Sequence, residues 1–325
     1  MNMQDLLRKK LWAVGGGKGG VGKSVFTAML SARLAGLGAR VVLVDADLGG
    51  ANLHLLFGIR YPLYTLGDFI NRQAENLEDV LLPTAIDNLK LLCGADDILG
   101  IANPKYGQKI RLLGHLRRLN ADIILLDLGA GTSFTTMDFF LYAGNKIIVL
   151  TPQVTSIQNA YGFIKSCLHR KLIRSFSTDP EALEIIRRAI GGESGEKMEF
   201  MTELKEAFKN LDGRRERLEA CFKDMQAGIV VNMVRDRKEQ DVGRIVQEVS
   251  RKYLDLSLNP MGFVNFDAML DRSINNMADF LKKGSGSSAN MGMYDIAAKV
   301  LKQSRAQKPA EIPPDTQPLY AGMQV

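Results

Sequence analysis

The sequence predicts an α/β protein: a mostly parallel sheet of about seven or eight strands, helices on both faces, and a helical insertion. Three observations predict it. Short β-branched apolar runs alternate with longer helical patterns along most of the 325 residues. Several of those runs are apolar on both faces, as strands buried between helix layers should be. The first run passes to the first helix through a glycine-rich loop, the usual strand-to-helix connection of an open parallel sheet.

In chain order the runs are "LWAV" (11–14), "RVVLVD" (40–45), "LKLLCG" (89–94), "DIILLDL" (122–128), "KIIVLT" (146–151), "GIVVNM" (228–233) and "MGFVNF" (261–266). Helical stretches lie between them: "KSVFTAMLSARLAGLG" after the first, "KYGQKIRLLGHLRRL" before the fourth and "SIQNAYGFIKSCLHRKL" after the fifth. No internal repeat is visible. Residues about 172–227 hold three amphipathic segments where one crossover helix would suffice. "DPEALEIIRRAIGG" has Asp-Pro as its start and Gly-Gly as its stop. Phe200, Leu204, Phe208 and Leu211 form a second stripe, and Leu218, Cys221, Phe222 and Met225 a third. Their balanced charge reads as an insertion packing on its own domain rather than a nucleic-acid arm. "GSGSSANMG" (284–292) reads as a flexible loop, and "KPAEIPPDTQPLYAGMQV" as a disordered tail. The organisation expected is one domain over residues 1–305, interrupted by that insertion, and a tail over 306–325.

Composition narrows the function. The hydrophobic fraction of 46% supports a sizeable core, and the net charge of +6 is compatible with an anionic ligand, membrane surface or nucleic acid. "MNMQDLLRKK" leads directly into a short strand rather than a cleavable apolar segment, and no run of about 18 apolar residues exists. Cys93, Cys167 and Cys221 are scattered and form no C-x-x-C pair. The expectation is a cytoplasmic protein with reduced thiols, without a disulfide framework, zinc site or iron–sulfur site built within one chain.

Residues 17–24, "GKGGVGKS", fit G-x-x-x-x-G-K-[ST] between a strand and a helix. Gly17, Gly19, Gly20 and Gly22 let the backbone curl so that successive N–H groups, with that of Val21, point at phosphate oxygens. The helix starting near Lys23 adds its positive end. Lys23 is expected to reach the β- and γ-phosphates, and the Ser24 hydroxyl to ligate Mg2+. The competing reading is a turn that only joins strand to helix.

Lys18 exceeds that pattern. It starts on the outer shoulder of the loop, poorly placed for its own nucleotide, and could cross to the phosphates of a second subunit. "KGGVGKS" resembles the deviant Walker A loop of the MinD/ParA group of P-loop ATPases, where that lysine acts in trans. The resemblance implies a Rossmann-like three-layer P-loop fold, ATP and Mg2+ as ligands, slow hydrolysis, and a homodimer formed with ATP. "VVLVDADLGGANLHLLFGI" (41–59) looks like the group's switch I region, most closely in its FlhG/FleN branch, the regulators of flagellar number and placement. By resemblance Asp45 lies near the magnesium shell and Asp47 orients the attacking water; otherwise the Asp-x-Asp only caps a turn. "IILLDLGAG" (123–131) resembles Walker B and switch II, with Asp127 on magnesium through water and Gly129 and Gly131 as pivots. "VVNMV" (230–234) matches a base-binding strand end. There Asn232 presents a donor and an acceptor to adenine, or is a buried amide satisfied by backbone. Val25 stands among the nucleotide-binding positions where the group commonly has Thr; His54, Asn159 and Asn265 also depart from the pattern.

The implied role is a nucleotide-dependent dimer switch that places or counts a cellular apparatus, flagella or division machinery, helped by a protein activator. The alternative is a ParA-like partitioning ATPase binding non-specific DNA. Lys105, Lys109, Arg111, Arg117 and Arg118 are its candidate basic patch. A peripheral position at the inner face of the cell membrane would need an anchor. "MYDIAAKVLKQSR" (293–305) has only a small apolar face and reads as the last domain helix. An iron–sulfur carrier would need clustered cysteines, and a tyrosine kinase a tyrosine-rich tail; this tail has Tyr320 alone.

Overall fold

Each of the seven apolar runs becomes a strand, and an eighth joins them. The computed structural model of the chain describes residues 9–94, 104–191, 199–209, 213–273 and 287–306. The strands are β1 (Leu11–Gly15), β2 (Val41–Ala46), β3 (Leu82–Pro83), β4 (Leu89–Leu92), β5 (Ile123–Leu128), β6 (Asn145–Leu150), β7 (Gly228–Val234) and β8 (Asn259–Asn265). They form one sheet in the order β3-β4-β2-β5-β1-β6-β7-β8. Every pairing is parallel except β3 with β4. The extra strand is two residues long, too short to show a period, and its Pro83 suits an edge because it has no N–H to donate.

The helices are α1 (Lys23–Gly36), α2 (Leu66–Ile70), α3 (Tyr106–Leu116), α4 (Phe134–Tyr142), α5 (Val154–Ser175) and α6 (Pro180–Gly191). After them come α7 (Glu199–Lys209), α8 (Arg214–Asp224), α9 (Arg237–Gln240), α10 (Val242–Leu254), α11 (Ala268–Ser273) and α12 (Ser288–Ala306).

Strand side chains alternate between two cores. Leu11, Ala13, Val42, Val44, Ile124 and Leu126 enter one, with residues of α2 to α8 and α10. Trp12, Val14, Val41, Leu43, Ile123 and Leu125 enter the other, with α1 and α12. Both faces are covered, and this explains why the strands read as unbroken apolar runs rather than an alternation. Because β1 has β5 on one side and β6 on the other, its C-terminal end opens where the connections diverge, the usual ligand position of such sheets.

The insertion packs on the first core. Asp179 accepts from the Ala182 N–H at 3.1 Å, opening α6 with Pro180 in its first turn. Leu204 and Phe208 of α7 and Leu218 and Cys221 of α8 are buried, and the Phe208 ring meets Phe176 edge-on at 5.2 Å. Leu211, expected in the second stripe, lies outside the described residues.

One expectation is corrected at the C-terminal end. The Gly and Ser content of residues 284–292 predicts a loop, but α12 is already helical from Ser288. Its face carrying Met293, Ile296, Ala297 and Val300 is fully buried, contributing about 2 kcal/mol for each large side chain. That burial outweighs the weak helix propensity of Ser and Gly, a cost of about 1 kcal/mol or less per residue. Trp12 closes the contact by donating its indole N–H to Ser304 Oγ at 3.1 Å. The apolar face of α12 is therefore turned to the core. No helix among the described residues is long and apolar enough to cross a membrane. Residues 307–325 lie outside the described residues, as do 284–286.

Candidate functional site

The loop from Gly16 to Gly22 leaves β1 and turns into α1 with Gly20 at φ 76° and Gly22 at φ 79°, conformations that favour glycine. No side chain caps the N-terminus of α1, so the first N–H groups of a 14-residue helix stay available to an anion. Glycine is also required for close approach at two positions. A Cβ on Gly17 would lie 1.9 Å from the Asn159 carbonyl oxygen, and one on Gly22 would lie 2.5 Å from Asn232 Nδ2. Gly19 differs from both. It is exposed at the crest of the loop, and a Cβ there would meet only the Ala130 methyl at 3.9 Å, an ordinary contact. No intrachain contact demands glycine at Gly19, so its place in the phosphate cradle rests on its backbone N–H alone. Behind the loop, Gly16 accepts from the Gly131 N–H at 3.3 Å, which ties the glycine loop to the loop after β5.

Lys23 is 7% exposed, and its ammonium lies 3.4 Å from the Lys18 carbonyl oxygen. Burial lowers its pKa, while the charges of Asp127 and Asp47 oppose that shift. The loop thus holds a cation ready for phosphate and partly relieved by carboxylates beneath it.

Two buried carboxylates come from neighbouring strands. Asp45 and Asp127 are register partners of β2 and β5 and are 1% and 2% exposed. Asp45 accepts from the N–H groups of Leu53 at 3.0 Å and Asp47 at 3.3 Å. Burial first, and then the charge of Asp127, push its pKa up to about 7. Burial likewise pushes Asp127 up to about 6, against hydrogen bonds from Ser24 and Thr27 and the charge of Lys23. Thr27 Oγ1 lies 3.1 Å from Asp127 Oδ1 and 2.8 Å from the Lys23 carbonyl oxygen. Two buried carboxylates beside a serine hydroxyl make an all-oxygen donor set, which fits a hard divalent cation such as Mg2+. Asp47 projects over the loop after β5, where a Cβ on Gly129 would meet its Oδ1 at 2.7 Å.

Lys18 sits exposed on the rim, and its ammonium rests 3.2 Å from Thr155 Oγ1 at the start of α5. Asn232, 8% exposed, donates from Nδ2 to the Val21 carbonyl oxygen at 2.9 Å. One of its amide hydrogens therefore braces the glycine loop, in line with the backbone-satisfied reading. The same amide lines a cavity with Gly22, Val25, Met233 and Phe266.

Three contributors escape the sequence reading. Thr27 has a local signal, since it stands one helical turn after Lys23 on the same face. Gly16 belongs to the glycine run. Thr155 has no signal, because its contact with Lys18 joins positions far apart in the chain. The basic patch expected over 105–118 is not a continuous one. Lys109 is buried on Asp138 at 2.9 Å, and Arg111 stacks over the Phe69 ring at 4.3 Å. The apolar positions of α3 turn these basic neighbours inward.

The family model described as ParA: NUBPL iron-transfer P-loop NTPase matches residues 8–172. The chain is 36% identical over 155 residues to antiactivator FleN of Pseudomonas aeruginosa, covering 47% of this chain and 54% of that relative. It is 38% identical over 145 residues to a putative septum site-determining protein MinD of Oltmannsiellopsis viridis, covering 44% and 46%. The chain thus spans about half the length of the curated relatives it matches. Among solved structures, the cell division ATPase MinD of Pyrococcus furiosus superposes with a TM-score of 0.60 at 20% identity, over 90% of this chain and 98% of that one. The septum site-determining protein MinD of Pyrococcus horikoshii, complexed with Mg-ADP, gives 0.60 at 20% identity over 93% and 99%. At that identity the superpositions speak for the fold.

Proposed function

Because the chain belongs to the ParA family of P-loop NTPases, we propose that it is an ATP-operated dimer switch. ATP binding pairs two copies, and weak hydrolysis to ADP and phosphate separates them. The output is the placement or number of a cellular apparatus, flagellar or division machinery. The FleN and MinD relatives support that output, and the glycine loop with its lysine pair supports the chemistry.

In this reading the N–H groups of Gly17, Gly19, Gly20, Val21 and Gly22 and of the first turn of α1 bind the phosphates. Lys23, held under the loop, neutralises the developing charge of the β- and γ-phosphates. Ser24, Asp127 and Asp45 hold Mg2+, which when bound supplies charge neutralisation at the phosphates. Asp47 orients the attacking water, and positioning rather than strong basicity is what phosphoryl transfer asks of it. Gly129 and Gly131 let the loop after β5 follow the γ-phosphate, with Gly16 registering the movement through its hydrogen bond to Gly131. Asn232 and Val25 border the base.

One observation carries the dimer: Lys18 stands on the exposed rim, held in the single chain by one hydroxyl contact. A lysine in that place gives up little when it moves to a neighbour's triphosphate, because exposed contacts contribute about 1 kcal/mol or less. Assembly then reports occupancy, and a protein activator that speeds hydrolysis would set the lifetime of the pair. The test is Lys18→Ala. It should retain ATP but elute as a monomer with ATP and Mg2+ in size-exclusion chromatography, where the parent elutes as a dimer. Normal dimerisation of that variant would overturn the trans role of Lys18.

A further inference from the structure

Among the described residues, the two most exposed large apolar side chains are Tyr61, at 89%, and Leu63, at 84%. Tyr64, at 50%, and Leu55, at 40%, belong to the same short segment after β2. That segment is held at both ends. Leu53 is buried at the start of a 3-10 turn (Leu53–Phe57), and its N–H donates to Asp45 Oδ2 at 3.0 Å. The N–H groups of Gly58 and Ile59 close the turn on the carbonyl oxygens of Leu55 and His54, at 3.0 and 3.2 Å. Downstream, a capping box starts α2. Thr65 Oγ1 accepts from the Gly67 N–H at 3.1 Å, and Asp68 Oδ2 accepts from the Thr65 N–H at 2.7 Å. Between these fixed ends Arg60, Tyr61, Leu63 and Tyr64 are all exposed. Between Asp47 and Asp68 in the sequence, Arg60 is the one Asp, Glu, Lys or Arg.

We propose that this loop tip seats in the surface of a lipid bilayer carrying anionic headgroups. Leu63 enters the acyl boundary, Tyr61 and Tyr64 lie at the headgroup level, and Arg60 meets a lipid phosphate. Side chains as exposed as Tyr61 and Leu63 touch little of their own chain, so they stand on a convex tip. A protein partner would need a matching pocket to bury such anchors, whereas lipid closes around an apolar tip without one. Tyrosine suits the boundary because its ring is apolar while its hydroxyl stays hydrated. Arg60, without an acidic residue in its segment and on a chain of net charge +6, complements an anionic surface. Because both ends of the loop are already fixed, little conformational freedom is lost on seating. Helix α12 does not serve the same purpose, since its apolar face is buried in the core. The contact needs no nucleotide, so it stands or falls separately from the ATP reading.

The experiment sediments the full chain, without nucleotide, with vesicles of phosphatidylcholine and about 30% phosphatidylglycerol at about 100 mM salt. Partition into the vesicle pellet is expected. Tyr61→Ser combined with Leu63→Ser should weaken it about tenfold or more. Met291→Ser, which removes an exposed apolar side chain from α12, should alter it about twofold or less. Arg60→Gln should weaken it about fivefold. A second readout follows from Trp12, the chain's one tryptophan, which is buried. In Leu63→Trp the added indole should shift its emission to shorter wavelength with vesicles and be quenched by acyl-brominated lipid. The proposal is overturned if the parent stays in the supernatant, if the loop and Met291 variants behave alike, or if the Leu63→Trp emission does not move. Nucleotide-free pairing of the parent that the double variant abolishes would overturn it too, by giving the patch to a second copy of the chain.

Discussion

Asp45 and Asp127 stand opposite one another at the C-terminal ends of adjacent parallel strands, each at most 2% exposed, and each with a pKa pushed well above the ordinary carboxylate value. Two like charges in one buried place oppose folding unless something neutralises them. They are retained where Ser24 and Lys23 converge, so their stabilising partner is expected to come with the nucleotide.

The first prediction concerns that pair. Asp127→Asn removes one buried charge while keeping the shape and an acceptor for Ser24 and Thr27. Without ligand at about pH 7.5 the variant should melt a few degrees higher than the parent, corresponding to about 1 kcal/mol. The parent should gain several degrees from Mg-ADP and the variant little. Differential scanning fluorimetry with and without Mg-ADP checks both halves; a variant stabilised as strongly as the parent would remove Asp127 from the cation site.

A second prediction separates two glycines. Gly17→Ala would place a methyl 1.9 Å from the backbone oxygen of Asn159, so the loop must shift away from α5. Nucleotide affinity should fall about tenfold or more, read by titration with a fluorescent ATP analogue. Gly36→Ala, at the end of α1 with nothing within 4 Å, should leave affinity unchanged and stabilise the fold by about 0.5 kcal/mol.

The third tests the charge cluster as a structural element. Asp138→Asn leaves Lys109, Arg170 and Arg174 facing one another without their shared carboxylate. Removing one partner of a buried ionic group is expected to destabilise by about 3 kcal/mol, measured by urea unfolding. Lys109→Met removes one of the three cations and fills its place with an apolar chain, so it should be tolerated to within about 1 kcal/mol.

The fourth concerns acid. Burial, with a contribution from Lys165, lowers His169 to about 4 from an ordinary 6.5. Its unfolded form takes up a proton first as pH falls. Stability from this group is therefore full above about pH 6.5 and is lost as pH falls towards about 4. His169→Gln should show a smaller drop in melting temperature between about pH 7 and pH 5 than the parent. An equal drop would mean that the histidine titrates alike in both states.

Much of the architecture is legible because it is written locally. Strand β5 is six consecutive residues all buried, and its apolar run announces it. Strand β3 is invisible because two residues cannot display a period, and its pairing with β4 is decided by the neighbour. The start of α12 is misread because Ser288 and Gly292 favour loops by propensity, while Met293 and Ile296 bury a face that propensity does not weigh. Within the glycine loop Gly17 and Gly19 are expected to serve alike as backbone donors, whereas packing separates them: α5 crowds the first, and the second stands in the open.

By itself the sequence determined the glycine loop, its two lysines, and the alternation of strand and helix, since each depends on neighbours within a few positions. The tertiary structure alone decided that Lys18 rests on Thr155, that Asn232 braces Val21, and that Lys109, Asp138, Arg170 and Arg174 share one cluster. Those contacts join segments from separate elements, and their energies follow from burial and distance, which come into being only when the sheet has gathered its helices.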